Sequence, residues 1–300
     1  MTKLVQVVDT GDVLGEGPIW SRIQQRLWWT DIQSRRLRSL DPASGVVSDV
    51  ATPERVGALA FVEGRPSLLL TAFETGLAYF EPATGAVRWL ARPEALGAGR
   101  RFNDGRTDRQ GRFWAGTMVE DETRAGAASA SLWRLDGRGC MTACVAGVRV
   151  ANGLAASPDG RTLYFADSPR QVIFAFDLDP ATGAISGKRV FAEVERGYPD
   201  GATVDAEGFL WSARWGAGEV VRHAPDGSVA AVVEVPASQP TCMAFGGPDL
   251  SLMFVTSARD GLTEAKLASE PSAGALFVFE SDARGLAEVE YRPAQADGLE

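Results

Sequence analysis

The chain has 300 residues but one histidine, His223, and three cysteines, Cys140, Cys144 and Cys242. A single histidine excludes zinc sites of the H-E-x-x-H kind, which need two. It also weakens a Ser-His-Asp reading, in which His223 would be the only base. His223 sits in EVVRHAPDGSV, where a strand runs into a PDG turn, and is expected to carry no chemistry. Three sparse cysteines are unlike a secreted disulfide framework. They are expected to be inert packing or surface thiols. No apolar run approaches the length that spans a bilayer. The N-terminus, MTKLVQVVDTGDV, lacks a long apolar stretch and a small-residue cleavage site. A cytoplasmic location and no membrane partner are the expectation. Positive charge is also short: 30 Lys and Arg face 39 Asp and Glu, a net charge of −9. Nucleic-acid binding rests on clustered Lys and Arg, so it is not expected here.

What the chain has in quantity is strand and turn signals. Short β-rich runs such as RLWWTDI, GLAYFE, RFWAGTM, TLYFADS, VIFAFDL, FLWSARW and LMFVTSA recur. Between them lie DPASG, EPATG, DPATG, SPDG and APDG, residues with turn chemistry. No segment shows a sustained, capped amphipathic helix pattern. Only 262–272, LTEAKLASEPS, has room for a short helical turn.

These runs fall into six copies of one unit, starting near Glu16, Val56, Arg101, Val150, Tyr198 and Pro240. The period of roughly 40–50 residues is that of a four-stranded propeller blade. The reading is an all-β, six-bladed β-propeller forming a single domain over 1–300. Both 4–13 and 286–293 are strand-like, and one is expected to complete a blade begun by the other. Closure of that kind removes exposed strand edges. A lone blade cannot bury both faces, so neighbours supply the core between them. Trp28, Trp29, Trp114 and Trp211 are expected in that inter-blade packing rather than in ligand stacking.

The repeats put chemistry in phase. Glu16 in LGEGPIW, Asn152 in VANGLAASPDG and Asp200 in YPDGATVDAEG each precede a glycine at the same point of the unit. The equivalent positions elsewhere are Val56, the Asn103–Asp104 pair and Thr241. The innermost strand of each propeller blade lines the central channel, so in-phase side chains converge there. Hard oxygen donors in that place suit Ca²⁺, Mg²⁺ or Mn²⁺, and carboxylates also hold Zn²⁺. Side chains alternate along a strand, so Asn103 and Asp104 are not both expected inward. Spacing does not choose between them. A divalent cation polarises a carbonyl and lowers the pKa of bound water. With no useful histidine, the base has to be a carboxylate, Asp200 or Glu16.

The segments LGEGPIW, RFNDGRTDRQGRFWAGTM, VANGLAASPDG and YPDGATVDAEGFLWSARWG resemble the SMP-30/gluconolactonase (regucalcin-like) family over about 12–260. The resemblance implies a six-bladed propeller with one divalent metal (Ca, Zn, Mn or Mg) in the central channel. It implies metal-dependent hydrolysis of a sugar lactone, an aldono-1,4- or 1,5-lactone such as the glucono-, xylono-, arabinono- or galactono- compound. By motif it implies metal ligands Glu16, Asn152 and Asp200, with Asp200 as general base. It implies substrate contacts from Arg101 and Asn103, and so favours Asn103 as the inward member of its pair. A further contact would come from the acidic run Glu120, Asp121 and Glu122, with Asp121 the positional match. A monomer is the default expectation. The competing reading is a calcium-binding or scaffold propeller whose metal is structural.

Overall fold

A computed structural model describes residues 2–93 and 96–294. It contains six four-stranded antiparallel sheets arranged as the blades of a propeller. The first strand, β1 (Lys3–Val8), is the outermost strand of the sixth blade. Blade one is β2–β5 (15–51), blade two β6–β9 (56–91) and blade three β10–β13 (100–148). Blade four is β14–β17 (151–193), blade five β18–β21 (198–234) and blade six β22–β24 (240–280) plus β1. The inner strands are β2 (Gly15–Ser21), β6 (Val56–Phe61), β10 (Arg100–Thr107), β14 (Ala151–Ala156), β18 (Tyr198–Val204) and β22 (Pro240–Gly246). Each begins within one residue of a repeat start read from the sequence. Each touches the next around the ring, and β2 touches β22 to close it.

Of the two strand-like ends, only the N-terminal one joins a blade. β1 pairs with β24 from Lys3↔Glu280 to Val8↔Leu276, hiding the edge of the last sheet. The expectation of a strand over 286–293 is corrected. That segment forms no ladder: Gly285, just before it, bridges Asp205, and within it only Tyr291 bridges, to Val62. It is held by side chains instead: Tyr291 is fully buried and its hydroxyl donates to Asp136 O at 2.7 Å. Val62 and Asp205 follow the C-terminal ends of their inner strands, so the segment crosses the channel end opposite the strand starts. There Glu288 meets Arg106 at 3.3 Å, and Arg106 also donates to Thr203 Oγ1 and Pro18 O.

The core is divided as a propeller requires. Six apolar clusters fill the six blade-to-blade interfaces, one cluster to each pair of neighbours. Trp29, Trp114 and Trp211 lie in three of them and are fully buried on the second strands of blades one, three and five. Each indole N–H donates at 2.9 Å to a buried carboxylate in the loop before its strand or before its blade, Asp12, Asp108 or Asp205. A buried indole needs such an acceptor, so these aspartates recur with the tryptophans. Trp28 is half-buried and packs at the edge of the interface between blades one and two.

The short helix foreseen within 262–272 is α2 (Glu264–Ser269), capped by the Thr263 side chain. A second turn, α1 (Glu122–Ala125), follows Asp121. Cys140 is exposed, Cys144 half-buried and Cys242 buried, all with free thiols. Among the described residues no helix is long and apolar enough to cross a membrane.

Candidate active site

All six inner strands break register at the in-phase residue or just after it. The shifts fall between Glu16 and Ile19, Val56 and Ala58, Phe102 and Gly105, Asn152 and Ala155, Pro199 and Ala202, and Pro240 and Met243. A bulge re-aims the side chains around it, which frees this ring from strict alternation. Gly17 sits in the first bulge at φ +56°, a backbone state that L side chains rarely adopt. At Gly57 a Cβ would lie 2.4 Å from Asn103 O, so only glycine lets blades two and three approach this closely.

The bulged ring floors a cavity of about 460 Å³ at the channel mouth. Glu16, Arg101, Asn103, Asn152 and Asp200 line it and are all nearly inaccessible to solvent. Glu120 stands at its rim. Leu14, Ile32, Met118, Tyr198 and Trp215 give the walls an apolar and aromatic character.

A continuous polar chain crosses four blades at this floor. Arg55 donates to Glu74 and, through both terminal nitrogens, to Glu120 at 2.8 Å. Arg101 Nε donates to Glu120 Oε1 at 2.9 Å, and its Nη1 donates to Asn103 Oδ1 at 2.8 Å. Asn103 Nδ2 donates to Asn152 Oδ1 at 2.9 Å and to Ala151 O at 3.0 Å. Asn152 Nδ2 donates to Ser168 Oγ at 2.8 Å, and Ser168 donates to Pro199 O at 2.7 Å. Pro199 immediately precedes Asp200, so the chain ends at the backbone of that carboxylate.

Asn103 and Asp104 divide their tasks. Asn103 lines the cavity, whereas Asp104 Oδ2 accepts from the Leu154 amide at 3.0 Å and ties blade three to blade four. Both amide hydrogens of Asn103 are already engaged. The geometry therefore makes it the group that orients Asn152 rather than a free donor.

The electrostatics concentrate negative charge at the floor. Glu16 and Asp200 are both buried at the floor, close enough for each to act on the other's charge. Burial, and then the charge of Asp104, push Glu16 up to about 8. Burial and the charge of Glu16 hold Asp200 well above the usual carboxylate range. Burial works against Glu120 as well, yet hydrogen bonds from Arg55 and Arg101 outweigh it and keep Glu120 below its ordinary value. Two buried carboxylates and an amide oxygen lining one cavity fit a hard divalent cation. The donor set is two carboxylates and one amide. Among the described residues no group of three His, Cys, Asp or Glu side chains stands in metal-holding geometry.

Asp121 is not part of the cavity lining. Its Oδ1 accepts from Thr123 N at 3.0 Å and Thr123 Oγ1 at 2.6 Å, capping α1. Glu120, one residue earlier, turns inward because Arg55 and Arg101 converge on it. His223 is buried in blade five between Arg214 Nη2 at 2.6 Å and Gly227 O at 3.0 Å, and does not line the cavity. Ser168, Gln33, Asp260, Tyr198 and Trp215 join the site without a sequence signal. They come from loops and strand ends whose phase in the repeat says nothing of chemistry.

The profile of the SMP-30/gluconolactonase/LRE-like region matches residues 14–259. The chain belongs to the SMP-30/gluconolactonase family. Its relatives in that family include a 6-deoxy-6-sulfogluconolactonase of Pseudomonas putida, 38% identical over 94% of this chain and 96% of its own. A pentonolactonase of Haloferax volcanii is 36% identical over 94% of this chain and 96% of its own. Among solved structures, a protein of Agrobacterium tumefaciens described as the calcium-binding protein regucalcin superposes with a TM-score of 0.90. It is 36% identical and covers 96% of this chain and 98% of its own. The family match rests on the blades that carry Glu16, Arg101, Asn103, Asn152 and Asp200.

Proposed function

We propose that this chain hydrolyses a sugar lactone to its aldonic acid with the help of one divalent cation. The observation that carries the reading is the joining of two groups in one cavity: the Glu16–Asn152–Asp200 oxygen set and the Arg101–Asn103–Glu120 chain. Glu16, Asn152 and Asp200 would hold the cation, which when bound supplies Lewis acidity to an ester carbonyl and acidity to a water.

Asp200 takes a proton from the attacking water, as a general base placed among the metal-holding groups. The water oxygen bonds to the acyl carbon, and the bond from that carbon to the ring oxygen breaks. The ring oxygen leaves with a proton and becomes a hydroxyl, so one water and one lactone give one hydroxy acid. Arg101 keeps the N–H groups of its Nη2 for the substrate, because Glu120, Phe102 O and Asn103 hold the rest of its guanidinium. Asn103 fixes the orientation of Asn152. The apolar walls exclude bulk water and receive the carbon face of the sugar ring.

A purely structural channel cation needs neither an open cavity nor Arg101 beside it, which favours the enzymatic reading. The test is acid release from a panel of aldonolactones, before and after dialysis against a chelator. Hydrolysis lost with the metal and restored by an added divalent ion supports the proposal. Turnover indifferent to rigorous metal removal overturns its metal-dependent step.

A further inference from the structure

The cavity has a mouth as well as a floor, and the mouth carries charge of its own. Across its lining Arg101 is the only cation among the described residues, against four carboxyl groups, Glu16, Glu120, Asp200 and Asp260. Arg101 is committed to Glu120 at 2.9 Å. Arg55, the next cation behind the rim, is committed to Glu74 and Glu120. A divalent cation on the floor would balance Glu16 and Asp200. Asp260 then remains without a counter-charge, and among the described residues it has no ion pair.

Asp260 is not a loose surface group. Its backbone N–H donates to Val13 O at 2.9 Å, and its carbonyl accepts from Gln239 Nε2 at 3.0 Å. Its Oδ2 accepts from Gln33 Nε2 at 2.9 Å. The pair joins the loop after β23 (Leu252–Ser257) to the loop after β3 (Arg26–Asp31), two neighbouring blades. It leaves Asp260 Oδ1 and Gln33 Oε1 as acceptors at the cavity mouth. Elsewhere on the lining Tyr198 and Trp215, cross-strand partners on blade five, offer aromatic surface. Carboxylate and amide acceptors read hydroxyl donors well and repel a second anion.

We propose that Asp260, held by Gln33, is a specificity residue that selects uncharged aldonolactones and rejects lactones bearing a sulfonate, phosphate or carboxylate. The inference rests on the lactonase reading and narrows its substrate class. It sets this chain apart from the activity in the name of its sulfogluconolactonase relative. A neutral lactone presents its distal hydroxyls to Asp260 and Gln33. A substituent of fixed negative charge meets Asp260, while the one cation of the described lining, Arg101, lies paired with Glu120.

The experiment compares kcat/KM for glucono-1,5-lactone and 6-deoxy-6-sulfogluconolactone in wild type, Asp260→Asn and Asp260→Lys, each loaded with the same divalent metal. The wild type is expected to favour the neutral lactone by at least about tenfold. Asp260→Lys is expected to shift the ratio toward the sulfonated lactone by at least about tenfold, with a smaller shift in Asp260→Asn. The shifts should shrink as salt is raised. Equal kcat/KM for the two lactones in the wild type overturns this inference and leaves the lactonase reading standing. So does an unchanged ratio in the variants. If Asp260→Lys does not fold, Asp260→Asn decides alone, and a ratio equal to that of the wild type overturns the inference. A wild type that opens no lactone overturns the lactonase reading, and this inference falls with it.

Discussion

Asn103 Nδ2 donates to Asn152 Oδ1 across 2.9 Å, coupling the inner strand of blade three to that of blade four at the floor of the cavity. The same Asn103 accepts from Arg101, so one amide links the proposed substrate-side cation to the candidate metal-side oxygen. Groups that orient a ligand from behind are often worth nearly as much as the ligand. Asn103→Ala is expected to lower kcat/KM on a lactone by about 10–100-fold and to weaken metal binding. The fold should persist, checked by circular dichroism and thermal unfolding. A variant with wild-type turnover and metal affinity would show that the coupling is only structural.

Asp200 sets stability against its proposed role in activity. It is buried against Glu16, and the charges raise each other's proton affinity. Asp200→Asn removes one buried negative charge at nearly constant shape. Turnover should fall by at least about 10³-fold, in the range expected for loss of a general base and a metal contact. In the metal-free protein the same change should raise Tm, by a few degrees if about 1 kcal/mol of repulsion is relieved. Lower activity together with lower metal-free stability would argue that Asp200 is a structural group.

The acidic run after GTM separates two kinds of carboxylate. Glu120 is bound by two arginines at the cavity rim, and Asp121 caps a single helical turn. Glu120→Gln should raise KM for the lactone about tenfold or more, because Arg101 loses the partner that aims it. Asp121→Ala should leave KM unchanged, with local fraying of α1 as its only effect. Steady-state kinetics of the two variants, side by side, check this. The reverse order of effects would restore Asp121 as the contact.

The repeat starts, the six blades and the ring of Glu16, Asn152 and Asp200 were legible because a propeller imposes one period on hydrophobic strands and inner-strand residues alike. The bulges were less so. No residue type marks them uniquely, and they are what allow Asn103 to line the cavity while Asp104 serves the next blade. Glu120 and Asp121 are adjacent and chemically alike, and only the convergence of Arg55 from blade two separates them. Gln33 and Asp260 meet from opposite ends of the chain, a contact made solely by ring closure. The segment 286–293 has strand-like composition, but β1 already supplies the fourth strand of the last blade. Its buried Tyr291 and the Glu288–Arg106 pair give it a place that alternation alone could not reveal.

His223 supplies a pH test that is independent of catalysis. Burial, with Arg214 beside it, holds the imidazole below its ordinary value of 6.5. Arg214 remains a cation at neutral pH, since burial brings it down only to about 10. The folded chain therefore binds the His223 proton less tightly than the unfolded chain. As pH falls below about 6.5 the unfolded state takes up a proton that the folded state refuses, and stability drops. Above that pH the contribution is fully present. In His223→Gln this part of the slope should vanish, so the wild type should lose stability more steeply between about pH 6.5 and pH 5. Denaturant unfolding at several pH values measures the slope. Since this is the only histidine, its ring resonances in NMR report the same titration directly. An imidazole that titrates at or above 6.5 in the folded protein would remove the basis for the difference.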